Sequence, residues 1–353
     1  DECATDLGGT GGAGGAGGSG AAGLLCNVRG TRIATPSGHV PVEALNVGDA
    51  VLTLRGEARP ITWIGVGRVL ATRGRRGPAT PVIVRRGALG DNVPYQELRV
   101  TKGHALFLQG VLIPVECLVN HRSILWDDHA QEVAVYHVEL ATHDVLIANG
   151  VAAESYRDDG NRWLFSNGSD RLARPRAEPC APVLTGGPLV DRLWSSFLER
   201  AGPRPGFPLT EDPDLHLVVD GVRIGALSRT DSACHGTAVH FSLPAGARCV
   251  RTVSRAAAQD ELGVARDPRA LGIALRRIVV RQGGRRWMID ASDPRLTDGF
   301  HDHEATGDLR WTTGAAMLPS ALLTSSTGTA ELVLHVACTA RYPLLADPEP
   351  AAA

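Results

Sequence analysis

The chain has 353 residues, enough for two or three domains, and 43% apolar against 21% charged residues describe a chain able to bury a core. A formal net charge of −2 argues against a polyanion binder, and no apolar window approaches the ~18 residues of a membrane span. Seven thinly spread cysteines (Cys3, Cys26, Cys117, Cys180, Cys234, Cys249, Cys338) lack any CxxC spacing, which disfavours a zinc ribbon or a disulfide scaffold. Their odd number leaves at least one thiol free.

Residues 1–25 form a flank in which 7–23 (LGGTGGAGGAGGSGAAG) are almost all Gly, Ala, Ser and Thr. Such a stretch cannot bury enough apolar surface to offset its ordering entropy, so it reads as a flexible linker. A phosphate loop is excluded because no strand leads in and no Lys-Ser/Thr pair follows. The chain begins at Asp1 without a basic-then-apolar signal segment, which leaves localisation unassigned.

From Cys26 short β-rich runs alternate with Gly, Pro and Asn turns every eight to twelve residues, the pattern of an all-β domain over 26–160. Helical turns are expected at 42–45 and 114–119. Residues 161–186 (SNGSD, RPRAEP, TGGP) read as a linker. LVDRLWSSFLERAG then has the period of an amphipathic helix with Leu189, Leu193, Phe197 and Leu198 near one face. Strand patterns resume after it, predicting a second all-β, sandwich-like domain at 187–345, and a disordered tail at 346–353.

Three pieces of the first domain carry chemistry together. Cys26 stands at the junction of flank and domain. Thr101-Lys-Gly-His104 ends a strand as a TxxH. The segment VYHVELATHDVLIANGVAAES holds His137, His143 and the turn dipeptide Asn149-Gly150. The opening CNVRGTRIATPSGHVPVEALNVGDAVLT, the TxxH and the closing segment, in that order, resemble the Hint family. That module is shared by hedgehog autoprocessing domains, inteins and bacterial intein-like domains. The matching positions of the first block are Cys26, Gly30, Thr31, Ile33, Pro41, Glu43, Leu45, Gly48, Asp49 and Val51. The phrasing is most similar to bacterial hedgehog/intein-type Hint domains. The resemblance implies an all-β, Hint-type horseshoe at 26–160.

It also implies autoprocessing. The Cys26 thiol attacks the Leu25 carbonyl in an N-to-S acyl shift, and the resulting thioester must be trapped by a second attack. His104 matches the family histidine that protonates the leaving amine, and Thr101 its supporting threonine. His143 matches the closing-block histidine, and His137 stands where inteins often carry Asp. Splicing inteins end in His-Asn, whereas this chain has Glu154-Ser155 followed by Tyr156. Without an Asn to cyclise, the expectation is self-cleavage between Leu25 and Cys26 without full splicing. The partners so implied are the upstream segment in cis and water or a small nucleophile, with no cofactor, no metal, no nucleic acid and no membrane span.

The alternative is a non-processing secreted or surface protein of a bacterium whose second domain binds a glycan. Its candidate face holds the aromatic runs at 285–290 (RRWMID) and 309–314 (LRWTTG). In His301-Asp-His303-Glu304, alternation on a strand would put both histidines on one face as metal ligands, but no third ligand at a defined spacing is visible, so a polar loop tip is the simpler assignment. The arginines at 68–86 (Arg68, Arg73, Arg75, Arg76, Arg85, Arg86) lack interleaved aromatics and read as a solvated loop rather than a nucleic-acid patch. Lys102, the only lysine among 36 basic residues, falls inside the TxxH and reads as a solvated side chain.

Overall fold

The computed structural model describes residues 25–71, 76–158, 160–168, 178–202, 208–232, 236–322 and 328–344. The expectations for the Gly-rich flank before Leu25 and for the tail lie outside the described residues. The chain divides into two compact units, one running through residue 204 and one from 205 onward.

The first unit is built from β1 (Asn27–Val28), β2 (Arg32–Thr35), β3 (Gly38–Pro41), β4 (Ala50–Leu52), β5 (Ala58–Pro60), β6 (Trp63–Leu70), β7 (Pro81–Val84), β8 (Leu98–Thr101), β9 (Ala105–Leu108), β10 (Val111–Pro114), β11 (Ile124–Trp126), β12 (Glu132–Glu139), β13 (Val145–Ala148) and β14 (Val151–Glu154). Two six-stranded sheets form, in the orders β11-β7-β8-β1-β12-β6 and β10-β9-β14-β13-β2-β3. All their recorded pairings are antiparallel. The expected helical turns are 3₁₀ turns at Val42–Ala44 and Val115–Leu118. The β13–β14 hairpin closes on Asn149-Gly150, where φ of +51° and +86° match the mirror-image turn that this dipeptide favours. The apolar positions of both sheets meet in one core that includes Ile33, Val82, Val100, Leu106, Ile113 and Leu146.

Two-residue β1 is the piece that positions the site. It is inserted between β8 and β12, with Asn27 opposite Val100 on one side and Tyr136 on the other. One step back along the same register sets Cys26 between Thr101 and His137. Directly opposed residues share a face of a sheet. On β12 the two-residue period puts His137 on the face of Val133 and Val135, which are buried.

The predicted helix is α1 (Pro188–Ala201), started by Pro188 at its first turn and ended at Gly202, whose φ is +75°. The sequence assigned it to the second domain, and its packing corrects that. Val190, Leu193 and Phe197 join the core of the first unit, and Trp194 Nε1 donates to the Val119 carbonyl at 2.7 Å. The 161–186 linker is likewise only partly a linker. Phe165 is buried edge-on against Trp63 and Tyr156, and the Arg162 guanidinium lies 4.2 Å from the Trp63 ring centroid. Polar and Pro-rich composition signalled a loop, but a few aromatic contacts outweighed it.

The second unit is the second β-rich region that the sequence predicts. Val222–Ile224, His216–Val219, Val250–Val253 and Ala315–Met317 form one sheet. Ser228–Ser232, Gly236–Leu243, Ala330–Thr339, Ile273–Gln282 and Arg285–Asp290 form the other, with Arg310–Trp311 paired beside it. Leu217, Val219 and Val250 of the first share one cluster with Phe241, Ile278, Val280, Leu332 and Leu334 of the second, a sandwich-like core.

Because α1 seals the first core, residues 25–204 are expected to unfold in one cooperative transition, while a chain ending at residue 186 is much weaker. Each buried side chain lost contributes about 1.5–3 kcal/mol, so urea unfolding of the two fragments checks the boundary.

Candidate active site

Cys26 is fully buried, and its backbone is clamped by Thr101. The Cys26 N–H donates to Thr101 Oγ1 at 2.8 Å, while the Thr101 N–H donates to the Cys26 carbonyl at 2.9 Å. The Thr101 hydroxyl also lies 3.4 Å from that carbonyl. The sequence-based expectation had Thr101 supporting the imidazole or an oxyanion. Its hydroxyl instead engages the amide nitrogen of the Leu25–Cys26 bond. Burial pushes the Cys26 thiol well above its ordinary pKa, so it rests protonated.

The TxxH turn brings His104 to the same bond. Its N–H returns to the Thr101 carbonyl at 3.0 Å, and its ring is fully buried. Gly103 packs directly against Leu25. A Cβ at that position would stand 2.8 Å from Leu25 Cδ2, so the missing side chain is the space that Leu25 occupies. Burial pulls the His104 pKa down, Glu154 pulls it back up, and His143 lowers it again.

His137 is part of this cluster. Its buried ring sits 5.2 Å from His104 and 5.2 Å from Tyr156, centroid to centroid. Burial, then His104 and His143, depress its pKa well below the ordinary value. His143 stands beyond the β12 turn with its side chain almost fully covered, Nε2 facing Glu154 Oε2 at 3.6 Å. Its other nitrogen, Nδ1, accepts the Cys180 N–H at 2.9 Å. Thus Cys26, Thr101, His104, His137 and His143 converge on one buried locus.

Sequence reading treated Glu154 only as a departure from the splicing pattern. In the fold it is a buried carboxylate at the end of β14, with Oε1 accepting the Ala105 N–H at 2.7 Å. The available signal was an acid terminating the apolar run VAAE. Cys180 was legible only as one more cysteine, since nothing local ties it to His143. Ser155 is buried and pinned to Asp144 through two hydrogen bonds, and the Tyr156 hydroxyl donates to Asn161 at 2.8 Å.

His301 bonds the Ala270 carbonyl at 2.8 Å and His303 bonds Asp308 at 3.0 Å. Among the described residues no group of three His, Cys, Asp or Glu is arranged to hold a metal. Trp311 is buried in the second unit, and half-buried Trp287 packs against its core. Lys102 pairs with Glu116 at 3.0 Å. Arg68 pairs with Glu132 and Arg76 with Asp128, while Arg73 and Arg75 lie outside the described residues. No helix among the described residues is long and apolar enough to cross a membrane.

Residues 25–160 match the family model of the Hint domain. Solved structures similar to the chain include the gp41-1 intein, at 14% identity over 36% of this chain and 96% of that one, with a TM-score of 0.28. The bacterial intein-like domain from Clostridium thermocellum aligns at 14% identity over 38% of this chain and 99% of that one, TM-score 0.27. A DnaB intein from Synechocystis sp. PCC 6803 aligns at 13% identity over 37% and 99%, TM-score 0.27. No curated protein matches the chain.

The two buried histidines with depressed pKa values make stability depend on acid. The unfolded chain takes up protons near the ordinary histidine pKa that the folded site refuses. Their contribution is fully present above about pH 6.5 and is lost as pH falls through the lower folded values. Urea unfolding between neutral and mildly acidic pH is expected to show this loss, and His137→Asn is expected to flatten it.

Proposed function

We propose that residues 25–160, which match the Hint family model, act as a Hint domain that cuts its own chain at the Leu25–Cys26 bond. The observation that carries the proposal is the pair of groups on that one amide. Thr101 holds its nitrogen, and the TxxH turn that carries His104 packs against Leu25. Effective concentration and orientation are what a thiol needs against an unreactive peptide carbonyl.

Neither partner is ionised at rest, and this sets the order of events. Neutral His104 accepts the proton of the Cys26 thiol as Sγ attacks the Leu25 carbonyl carbon. A C–S bond forms, the C–N bond breaks, and the imidazolium returns its proton to the departing Cys26 nitrogen. The Glu154 charge supports the transient imidazolium, and the buried His137 ring beside it keeps the site dry. The products of this step are a thioester between Leu25 and Cys26 Sγ and a free amine on Cys26. Water or a small amine or thiol then attacks the thioester, breaking the C–S bond and restoring the thiol. Residues 1–25 leave as a carboxylate, amide or thioester accordingly. Asn cyclisation has no residue at Glu154-Ser155 to perform it, so the downstream chain stays attached.

Intact mass of the purified chain with dithiothreitol is expected to show loss of residues 1–25, while Cys26→Ala keeps them. His104→Ala should slow the loss by about 10²-fold or more, the usual weight of a general acid–base. A wild-type chain that keeps its first 25 residues under thiol would contradict the proposal. Where the acyl shift limits the rate, cleavage should stay level from about pH 7 to 9, without the rise an ordinary thiol pKa would give, because the reacting state is neutral His104 beside a protonated Cys26 thiol.

A further inference from the structure

Residues 178–184 lie beyond the Hint match, yet they return to the edge of its second sheet. β10 is that edge, and Leu112 on it pairs in parallel with Val183. The Leu112 N–H donates to the Pro182 carbonyl at 2.8 Å, and the Leu184 N–H donates to the Leu112 carbonyl at 2.9 Å. Leu184 packs on the core of the first unit, so the segment is a strap seated by two backbone bonds and one apolar side chain. Two residues before Pro182, the Cys180 N–H reaches His143 Nδ1 at 2.9 Å.

That contact fixes a protonation state. A backbone N–H can only donate, so Nδ1 must offer a lone pair and carry no proton. The neutral ring then has its hydrogen on Nε2, the nitrogen that faces Glu154 at 3.6 Å. A doubly protonated His143 would set N–H against N–H at the strap. It would also neutralise Glu154 and place a second positive charge near His104. Second partners of functional histidines commonly select tautomer and ring orientation in this way.

We infer that the 178–184 strap is a positioning element of the processing site, in which the Cys180 N–H holds His143 as the neutral Nε2–H tautomer and so leaves the Glu154 carboxylate free to support His104. The inference on cleavage rests on the proposed self-cleavage, whereas the tautomer does not. The Hint match is therefore shorter than the working site, which borrows a donor from 20 residues beyond residue 160.

Two measurements on the full chain test this. In the Cys26→Ala chain labelled with ¹⁵N-histidine, the nitrogen spectrum of His143 should show a proton on Nε2 and none on Nδ1. A protonated Nδ1 overturns the inference. In otherwise wild-type chain, Cys180→Pro deletes the donor whereas Cys180→Ala keeps it. The proline variant should cleave about tenfold more slowly than the alanine variant, the lower end of what such outer partners contribute. Equal rates, with the proline variant retaining the Nε2–H tautomer, overturn the inference. If the wild type does not cleave, the proposed function fails, and the histidine spectrum alone decides the strap.

Discussion

A two-residue strand holds this site together. β1 lies between β8 and β12, and the exchange of hydrogen bonds between Cys26 and Thr101 is what ends it. So short a strand cannot be stable by itself. It is held because both neighbours are long-range partners already fixed by their own sheets. Cys26 therefore inherits its position from elements about 75 and 110 residues away in sequence, and its backbone has little freedom to relax.

The electrostatics follow from that burial. Four titratable groups (Cys26, His104, His137 and Glu154) are buried. Desolvation keeps the thiol protonated and the two imidazoles neutral, so the cluster carries little charge at rest. The Glu154 carboxylate is satisfied by Ala105 and faces His143, the arrangement that lets a buried acid remain in an apolar interior. Such a site stores its reactivity in geometry rather than in a pre-formed thiolate. Proton transfer has to accompany attack.

Much of this was legible in the chain before any coordinates. Strand runs and turn dipeptides announced an all-β fold, and Asn149-Gly150 closes the hairpin that its backbone preferences favour. Cys26, the TxxH and the closing histidines were visible because their residue types and order are local properties of the chain. Glu154 was visible but was read as a missing Asn, since Ala105 becomes its neighbour only when β9 and β14 pair and His143 only when the β13–β14 hairpin closes. The α1 helix was recognised as amphipathic, but amphipathicity does not say which core the apolar stripe will enter. Trp194 and Val119 settle that over 75 residues of separation.

What the sequence by itself determined, then, is the kind of structure and the chemical actors: short alternating strands, a thiol at a domain junction, and histidines in two separate blocks. Only the tertiary structure decided that Thr101 grips the nitrogen of the Leu25–Cys26 bond, that His137 turns inward, and that Cys180 contributes its N–H to His143. The physical reason is that periodicity and turn chemistry act over a few residues, whereas sheet register and backbone hydrogen bonds between distant strands are set by the whole core at once.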